Sequence, residues 1–517
     1  MRATIALAAI ATALILPSAA LANHHSPNMR LVTTLFKPGD LSPPPGVLAS
    51  ANSDLAFWGT LAYAGHYNGF RIFDISDPAH PEVLSDFACR GAQHDVSVWQ
   101  NRLLFLSVDE PQLQPAGEPR GVCSEAAPAT DAGREMPTNF EGIRIFDVSD
   151  PRNPVFVKGV DTDCGSHTHT LVPDLANNRL LLYVSSYPLR VGPICGPHTS
   201  ANDQLFDPSL PVDVNPLHEQ ISVVEVPLGA PQNAHVISEP KLAHPVYNIS
   251  QIDPTATGFY DSVACHDIGV FLEIKLAAAA CMSNGQLWDI SDPAHPKTLP
   301  SEGAKYVDIP QVEFWHSAAF TWDGRNIQFG DERIREGGCE STSEPGGRIY
   351  FYDRANFTQP VGSFMIPRPQ GGEYCSSHLW NVLPRKDGRY VLAEAWYNGG
   401  VDVIDFDDPT RAFEVGYYDP FHPSGDEAVW SAYWYNRFIY ANDIERGQDV
   451  YVLLDRLRFG NVTFDHLNPQ TQERLIGKKH AGTRHRSAGR AAPRSARLRA
   501  AAPRGRAYAG AIAEIAP

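Results

Sequence analysis

The chain has little helical periodicity, no CxxC pair and almost no long apolar run. Its one extended apolar stretch, near the start, is shorter than the roughly 20 residues that a membrane-spanning helix needs. Metal–thiolate sites usually draw on closely spaced cysteine pairs. These absences disfavour a helical fold, a transmembrane protein and a thiolate metal site.

What the chain does contain is a repeat. FDISDPAHP at residues 73–81 returns as FDVSDPRNP at 146–154 and as WDISDPAHP at 288–296. In each copy an apolar strand ends in Asp, the Ser and Asp side chains can bond their own backbone, and Pro presets φ for a tight turn. Each copy therefore predicts a strand, a turn and a second strand.

Weaker copies extend the series to seven units. The residue that closes the strand of each unit is, in order, Asp74, Asp147, Glu225, Asp289, Asp353, Asp405 and Asp455. The last two intervals are 52 and 50 residues, close to the roughly 40 to 50 residues of a bare four-stranded propeller blade. Short β-rich runs separated by Asn, Asp and Gly turns support the same assignment. The sequence predicts an all-β, seven-bladed β-propeller of four-stranded blades, with loop insertions in its earlier units.

The ends of the repeat array complement each other. The seventh unit has no evident fourth strand, whereas residues 29–36 form an unattached strand at the start of the chain. Pairing the two would close the ring and remove an exposed sheet edge. We expect the N-terminal strand to complete the last blade.

The fragments FRIFDISDP, IRIFDVSDP and QLWDISDP, with the strands that begin at histidine, carry a family resemblance. Over roughly residues 29–456 the chain resembles the LVIVD-repeat family of secreted bacterial β-propellers. The resemblance implies a propeller fold and export. It implies no particular activity.

The two ends of the chain predict export and a separate tail. Residues 1–22 combine an early Arg, an apolar stretch and an Ala-Leu-Ala ending, as a secretory signal peptide does. Residues 23–460 would then form the propeller of a secreted or cell-surface protein. Residues 461–517 are predicted to be a disordered, basic Ala/Arg-rich tail, or else a translation of the wrong reading frame.

The net charge indicates which kinds of partner the propeller could bind. The formal net charge is −17, although residues 478–506 carry ten Lys or Arg and no acid, so the remainder is more acidic still. Such a body should not bind nucleic acid. It would meet cations or neutral ligands, unless the charge only maintains solubility.

The chain has eight cysteines, an even number that favours disulfides in an exported protein. We label the strands of each blade A to D from the axis outward. A strands start, and B strands end, at the same face of the disc, and the cysteines fall near these two places. The predicted pairs are Cys89 with Cys123, Cys164 with Cys195, Cys265 with Cys281, and Cys339 with Cys375.

Histidines mark the predicted starts of five A strands. They are His94, His169, His266, His316 and His378, with His167 two residues before His169. Because A strands line the axis, these imidazoles should form a ring at one mouth of the channel, a geometry that suits copper, zinc or iron. Carboxylates at the ends of B strands could join them, Glu332 and Glu394 among them. Alternatively, the histidines only bond loop carbonyls or channel water.

The sequence thus predicts an exported monomeric propeller with a histidine-rich metal site formed by these six residues. A small ligand would bind there, and an enzyme would carry out metal-assisted hydrolysis or copper-dependent oxidation. The sequence indicates no catalytic residue and no organic cofactor. Aromatic residues near the same rim, among them Trp396, Tyr397 and Trp430, could form a wall for an organic ligand. The alternative is a noncatalytic scaffold that binds an extracellular protein or glycan.

Overall fold

The computed structural model describes most of the repeat array and a segment on its C-terminal side. The described residues are 24–37, 51–89, 91, 93–108, 123, 129–131, 134–136, 140–186, 220–243, 265–282, 284–299, 306–307, 312, 314–332, 346–368, 376–420 and 429–476. All of them belong to one compact unit, Met1–Lys479.

Seven antiparallel sheets form the blades of a β-propeller, as the sequence predicted. Their A strands are Asn52–Trp58, Gln93–Trp99, Thr168–Asp174, Ile268–Phe271, Trp315–Phe320, Trp380–Val382 and Val429–Tyr435. The B strands are Leu61–His66, Leu103–Val108, Arg179–Ser185, Leu276–Cys281, Asn326–Asp331, Val391–Ala395 and Phe438–Asp443. Each A strand contacts the A strands of the two neighbouring blades, so the A strands surround a common axis.

The outer strands carry the repeat motif. The C strands are Gly69–Asp74, Gly142–Asp147, Ser222–Pro227, Asn284–Asp289, Ile349–Asp353, Val401–Asp405 and Gly447–Leu453. The D strands of blades 1 to 6 are Glu82–Ala88, Val155–Asp161, His235–Ser238, the split pair Lys297–Thr298 and Tyr306–Val307, Gly362–Phe364 and Phe413–Asp419. Among the described residues, five further short strands lie outside this pattern. Ala129–Asp131 pairs with Arg134–Met136, and His24–His25 pairs with the D strand of blade 6. The other two, His466–Leu467 and Thr471–Gln472, come after the last blade.

The ring closes through the N-terminal strand, as predicted. Met29–Phe36 pairs antiparallel with Gly447–Leu453 and supplies the D strand of blade 7. Residues more than 400 positions apart in the chain therefore share one sheet, and the last blade has no unpaired C strand.

The SDP turns have the predicted chemistry. In blade 1 the Asp74 carboxylate accepts from the backbone N–H of Ser76 (2.8 Å), and Asp77 accepts from that of Ala79 (3.0 Å). Blades 2 and 4 repeat this arrangement at Asp147 and Asp289. The carboxylates thereby satisfy backbone donors that the C-to-D turn would otherwise leave to water.

Helical structure in the described part of the chain is limited to short 3-10 turns. These are Leu175–Asn177, Pro231–Asn233, Arg354–Asn356, Pro409–Arg411 and Arg456–Arg458. Within the described ranges, no helix has the length and apolar character to span a bilayer.

Two of the four predicted disulfides are confirmed. Cys89 pairs with Cys123 and Cys265 with Cys281. Cys164 is also disulfide-bonded, but its predicted partner Cys195 lies outside the described residues, as does the whole predicted pair Cys339 and Cys375. The register of the repeat thus located two bridges correctly.

A segment at residues 459–476 comes after the last blade and runs along the A-to-B ends of all seven blades. Val462 bonds blade 6 through the carbonyl of Pro384, and Phe464 bonds blade 7 through Asn436. His466–Leu467 then pairs with the A strand of blade 1, and Thr471–Gln472 pairs with that of blade 4. Thr471 also donates its hydroxyl to the carbonyl of Leu171 in blade 3 (2.7 Å). The segment thus contacts the blades in order and lies at the face opposite the starts of the A strands.

Two side-chain amides of this segment act as substitute peptide groups. Asn468 accepts from the N–H of Val98 in blade 2 (2.8 Å) and donates to its carbonyl (3.0 Å). Gln472 does the same with the N–H and carbonyl of Phe320 in blade 5 (3.1 and 2.9 Å). Each amide pairs two buried backbone groups on an inner strand that has no further strand beside it.

The structure therefore extends the propeller beyond the boundary at residue 460 that the sequence predicted. Residues 461–476 are ordered against the blades by hydrogen bonds, and Leu467 and Asn468 are buried. Phe464, Leu467 and Ile476 also pack into a buried core cluster, although apolar residues in this segment follow no strand or helix period that would indicate an ordered element. The rest of the predicted tail, with the predicted signal peptide, lies outside the described residues.

Replacing Asn468 with Ala should lower the free energy of unfolding by about 2 kcal/mol, because two buried backbone groups of Val98 lose their partners. Chemical denaturation measures the change. Asn153→Ala is the control, since the Asn153 amide only bonds an exposed carboxylate in an SDP turn. Equal effects of the two substitutions would contradict a structural role for residues 459–476.

Candidate metal centre

One side chain from each blade joins a closed circuit of contacts at the face where the A strands start. In the order of blades 1 to 7 the side chains are Tyr67, Gln93, His167, His266, His316, His378 and Trp430. The sequence predicted such a ring, although only four of its six histidines are members.

The four imidazoles are consecutive and in direct contact. Ring centroids are 4.5 Å apart between His167 and His266, 3.6 Å between His266 and His316, and 4.3 Å between His316 and His378. All four residues are buried. Blades 3 to 6 therefore present a continuous row of imidazoles, which we call the imidazole arc.

The remaining three side chains complete the circuit. Trp430 lies edge-on to His378, with centroids 4.9 Å apart, and Tyr67 lies 6.3 Å from Trp430. The hydroxyl of Tyr67 donates to Gln93 Oε1 (3.2 Å), and the Gln93 amide contacts the ring of His167 (3.2 Å). We call Trp430, Tyr67 and Gln93 the aromatic arc.

Hydrogen bonds to Nδ1 determine how two of the imidazoles face. Ser317 Oγ donates to the carbonyl of His378 (2.6 Å), so it accepts from His316 Nδ1 (2.5 Å). His378 Nδ1 in turn donates to the carbonyl of Trp430. Each neutral ring then carries its proton on Nδ1 and presents a lone pair at Nε2.

Both lone pairs face the same carboxylate. His316 Nε2 is 3.5 Å from Glu332 Oε2, and His378 Nε2 is 3.9 Å from Glu332 Oε1. One ligand atom from each of the three residues lies within 4.8 Å of the others. His316 Nε2 is buried and makes no hydrogen bond. Three possible acceptors thus converge, and either a proton or a cation between them would relieve the repulsion of their lone pairs.

Strand alternation explains why Glu332 faces the histidines. Glu332 comes directly after the B strand of blade 5, and its N–H donates to the carbonyl of Phe314 (2.9 Å). The preceding residue, Asp331, points to the other side, where its carboxylate accepts from the N–H groups of Phe314 and Gly347 (3.0 and 2.8 Å). Tyr397 donates its hydroxyl to Glu332 Oε1 (2.6 Å) and orients that carboxylate.

Burial keeps the imidazoles neutral. Desolvation lowers the pKa of His378 and of His167 to about 3 and that of His266 to about 4. It also lowers the pKa of His316 well below its usual range, and the neighbouring histidines add to the effect. Neutral imidazole is the form that binds a metal ion, so the arc is ready to bind one without first losing protons.

Beside the arc, Asp267 contacts His266. Its Oδ1 lies 3.3 Å from His266 Nδ1, and burial raises the pKa of this carboxyl. A carboxylate beside Nδ1 is a common partner of metal-binding histidines. The Nδ1 atom of His266 therefore faces a carboxyl group, and its ring lies next to that of His316.

The structure does not bring His94 into the arc. Gln93 and His94 both have positive φ, 68° and 55°, and the pairing register shifts between Gln93 and Val96. This bulge directs Gln93 to the mouth. His94 turns toward blade 1 instead, where its Nδ1 donates to the carbonyl of His66 (2.5 Å).

His169 also lies apart from the arc, between blades 2 and 3. Its Nε2 is 2.7 Å from Ser97 Oγ, and its Nδ1 is 2.8 Å from Ser107 Oγ and 3.2 Å from Asp95 Oδ2. His167 precedes the A strand, which starts at Thr168. Residues two apart in a strand point to the same side, but this rule does not apply to His167 and His169, because the strand begins one residue after His167.

Of the other residues predicted near this rim, some lie at the mouth and some are buried among the blades. Trp315 and Trp396 are fully buried among the blades, whereas Trp430 is half-buried at the mouth and Tyr397 contacts Glu332. Among the predicted carboxylates, Glu394 bonds Ser377 instead of a histidine. Sequence reasoning missed Gln93 and Tyr67, and the one available signal was their position next to His94 and His66.

Fold and site together define a seven-bladed β-propeller with a candidate metal centre at one mouth of its axis. More particularly, the family model of the LVIVD repeat matches residues 51–88, which span blade 1. This match agrees with the resemblance found in the sequence.

Comparisons with other proteins add little. No curated protein matches the chain. Among solved structures, a candidate 6-phosphogluconolactonase from Bacteroides fragilis is 10% identical, with a TM-score of 0.44 over 77% of this chain and 89% of that one. The Dos1 propeller (8% identity, TM-score 0.42, 80% of each chain) and a chain of the mitotic checkpoint complex (9%, 0.45, 88% of this chain and 97% of that one) are similar. The seven antiparallel sheets themselves define the fold.

The metal-free protein should lose stability as pH falls from about 6.5 toward 4. The unfolded chain binds protons at His266 and His378 near their ordinary pKa of 6.5, whereas the folded protein binds them only near 4 and 3. Each group can contribute up to about 1.4 kcal/mol per pH unit. Denaturation midpoints at a series of pH values should show a shallower dependence in His378→Gln. The exposed His80 gives the control, His80→Gln, and an equal effect of both variants would contradict this assignment.

Proposed function

We propose that this protein binds a divalent transition metal ion through His316, Glu332 and His378, with the ring of His266 packed against that of His316. The observation that carries the proposal is the convergence of two imidazole lone pairs on one carboxylate. Burial keeps both imidazoles neutral, and the hydrogen bonds to Nδ1 direct their Nε2 lone pairs toward Glu332.

The types of ligand indicate which metal ions the site would bind. Two imidazoles and one carboxylate are the ligands of one class of catalytic zinc site and of non-haem iron(II) sites. In a tetrahedral zinc site, ligand atoms are about 3.3 Å apart, given a metal–nitrogen distance of about 2.0 Å. The separations of 3.5 and 3.9 Å between nitrogen and carboxylate oxygen need only small adjustments to reach this value.

Three protein ligands leave a coordination position for a water molecule or a substrate donor, as catalytic sites do. Tyr397 supports this role, since its bond to Glu332 fixes one carboxylate oxygen. The Glu332 side chain is 16% exposed, against 1% or less for those of His316 and His378, so the open position should lie on its side of the group.

We also propose that the protein works outside the cytoplasm. Two disulfides within the described residues and a third at Cys164 suit an oxidising compartment. The predicted signal peptide at residues 1–22 would supply the route.

Elemental analysis of protein purified from an oxidising compartment under metal-replete conditions tests the centre. We expect about one zinc or iron ion per chain. His316→Ala and Glu332→Gln should each lower zinc affinity by more than about 100-fold, and Tyr397→Phe, which removes only a supporting bond, by about 10-fold. His295→Ala, in an exposed SDP turn, is the control. Substoichiometric metal in the unaltered protein would refute the proposal and favour the noncatalytic scaffold.

The Cys265–Cys281 bridge should affect the centre, because Cys265 directly precedes His266. Replacing both cysteines with Ser should lower the free energy of unfolding by about 3 kcal/mol and weaken zinc binding several-fold. The matched control removes Cys89–Cys123, which lies near Gln93 and no proposed ligand. Its removal should cost similar stability and leave zinc affinity unchanged. Equal zinc affinities in the two double variants, measured by competition with a chelator, would show that the bridge does not position His266.

A further inference from the structure

The circuit at the mouth has two chemically different halves. Blades 3 to 6 contribute the imidazole arc, and Glu332 lies beside it. Blades 7, 1 and 2 contribute the aromatic arc of Trp430, Tyr67 and Gln93. The second half contains an indole, a phenol and an amide, none of which is a usual ligand for a divalent metal ion in this setting.

Trp430 connects the halves. Its backbone carbonyl accepts from His378 Nδ1, and its ring lies against the His378 ring with centroids 4.9 Å apart. A molecule that packs on the indole of Trp430 therefore lies next to His378, a proposed metal ligand. Because these two rings are in contact, one small ligand could touch both halves of the circuit.

Two tyrosine rings pack edge-on against the half-buried indole of Trp430. Tyr67 and Tyr397 stand nearly perpendicular to the indole, at 81° and 88°, with centroids 6.3 and 6.4 Å from it. Trp430 and Tyr67 are half-buried, whereas Trp315 and Trp396 are fully buried. An aromatic ligand can thus contact exposed ring surface and continue the edge-to-face packing.

The polar groups of the aromatic arc bond each other. Tyr67 donates to Gln93, and the Gln93 amide contacts His167. The side chains of Trp430, Tyr67 and Gln93 therefore offer ring surface and carry no charge of their own. The other half differs, since one divalent ion with Glu332 and neutral imidazoles would have a net charge of about +1 and would attract an anionic oxygen donor.

We propose that the site takes a small aromatic molecule with an anionic oxygen donor, such as a phenolate, an aromatic carboxylate or an aromatic hydroxamate. The donor binds the metal ion beside Glu332, and the ring packs on Trp430 and Tyr67. This inference rests on the proposed metal centre and adds the substrate class to it.

Two hydroxamates that differ only in their organic group test the aromatic arc. Benzohydroxamate and acetohydroxamate share one metal-binding group, so the ratio of their dissociation constants measures how much the aromatic ring contributes to binding. We expect zinc-loaded protein to prefer benzohydroxamate. Trp430→Leu should reduce that preference about fivefold, the size of an aromatic contact, without changing acetohydroxamate binding. The backbone carbonyl that holds His378 remains in this variant.

Two further variants make the test specific. Trp430→Phe keeps an aromatic ring and should retain most of the preference. Trp58→Leu changes an aromatic residue at the opposite face, where Trp58 stacks on His466, and should leave the preference unchanged. Calorimetry measures both ligands on each variant, and acetohydroxamate binding verifies that each variant is folded and metal-loaded.

The outcomes separate this inference from the metal centre. If acetohydroxamate binds and Trp430→Leu keeps the full preference, the aromatic subsite is wrong and the metal centre stands. If zinc binds but acetohydroxamate does not, no coordination position is open and the substrate inference is again overturned. If elemental analysis finds no metal, the centre fails, and this inference fails with it.

Discussion

Closure of the ring is the constraint on which the rest of the structure depends. Seven sheets that contact each other in a circle leave one junction between the first and last blades, and the strand Met29–Phe36 secures it by completing blade 7. Residues 459–476 then bond every blade at one face of the disc. The start and the end of the described chain thus both hold the circle, and only a closed circle brings side chains from all seven blades to one mouth.

The mouth becomes a site through departures from the repeat. An A strand of regular geometry would present equivalent positions in every blade. Register shifts near the starts of A strands in blades 1, 2, 5 and 7 break this equivalence. In blade 2 the shift exchanges His94 for Gln93. The row of imidazoles consequently ends at blade 3, and the mouth has one half with imidazoles and a carboxyl group and one half without them.

Most of the fold could be predicted from the sequence, because the SDP turn is local chemistry. Asp74 and Asp77 bond backbone groups two residues away, so the motif marks the same point in each blade whatever surrounds it. That register also located the Cys89–Cys123 and Cys265–Cys281 bridges. It could not reveal residues 461–476, since their bonds go to blades hundreds of residues earlier through single amides such as Asn468 and Gln472.

The sequence by itself determined the number of blades, the closing strand, two bridges and the presence of histidines near one mouth, since turn chemistry and strand period depend on neighbouring residues. Only the tertiary structure decided which histidines converge. His266, His316 and His378 meet because adjacent blades press their rings together, whereas His94 and His169 turn to partners in bulged or neighbouring strands. The direction of a side chain at a strand end depends on backbone torsion and on contacts between blades, and neither can be read from spacing along the chain.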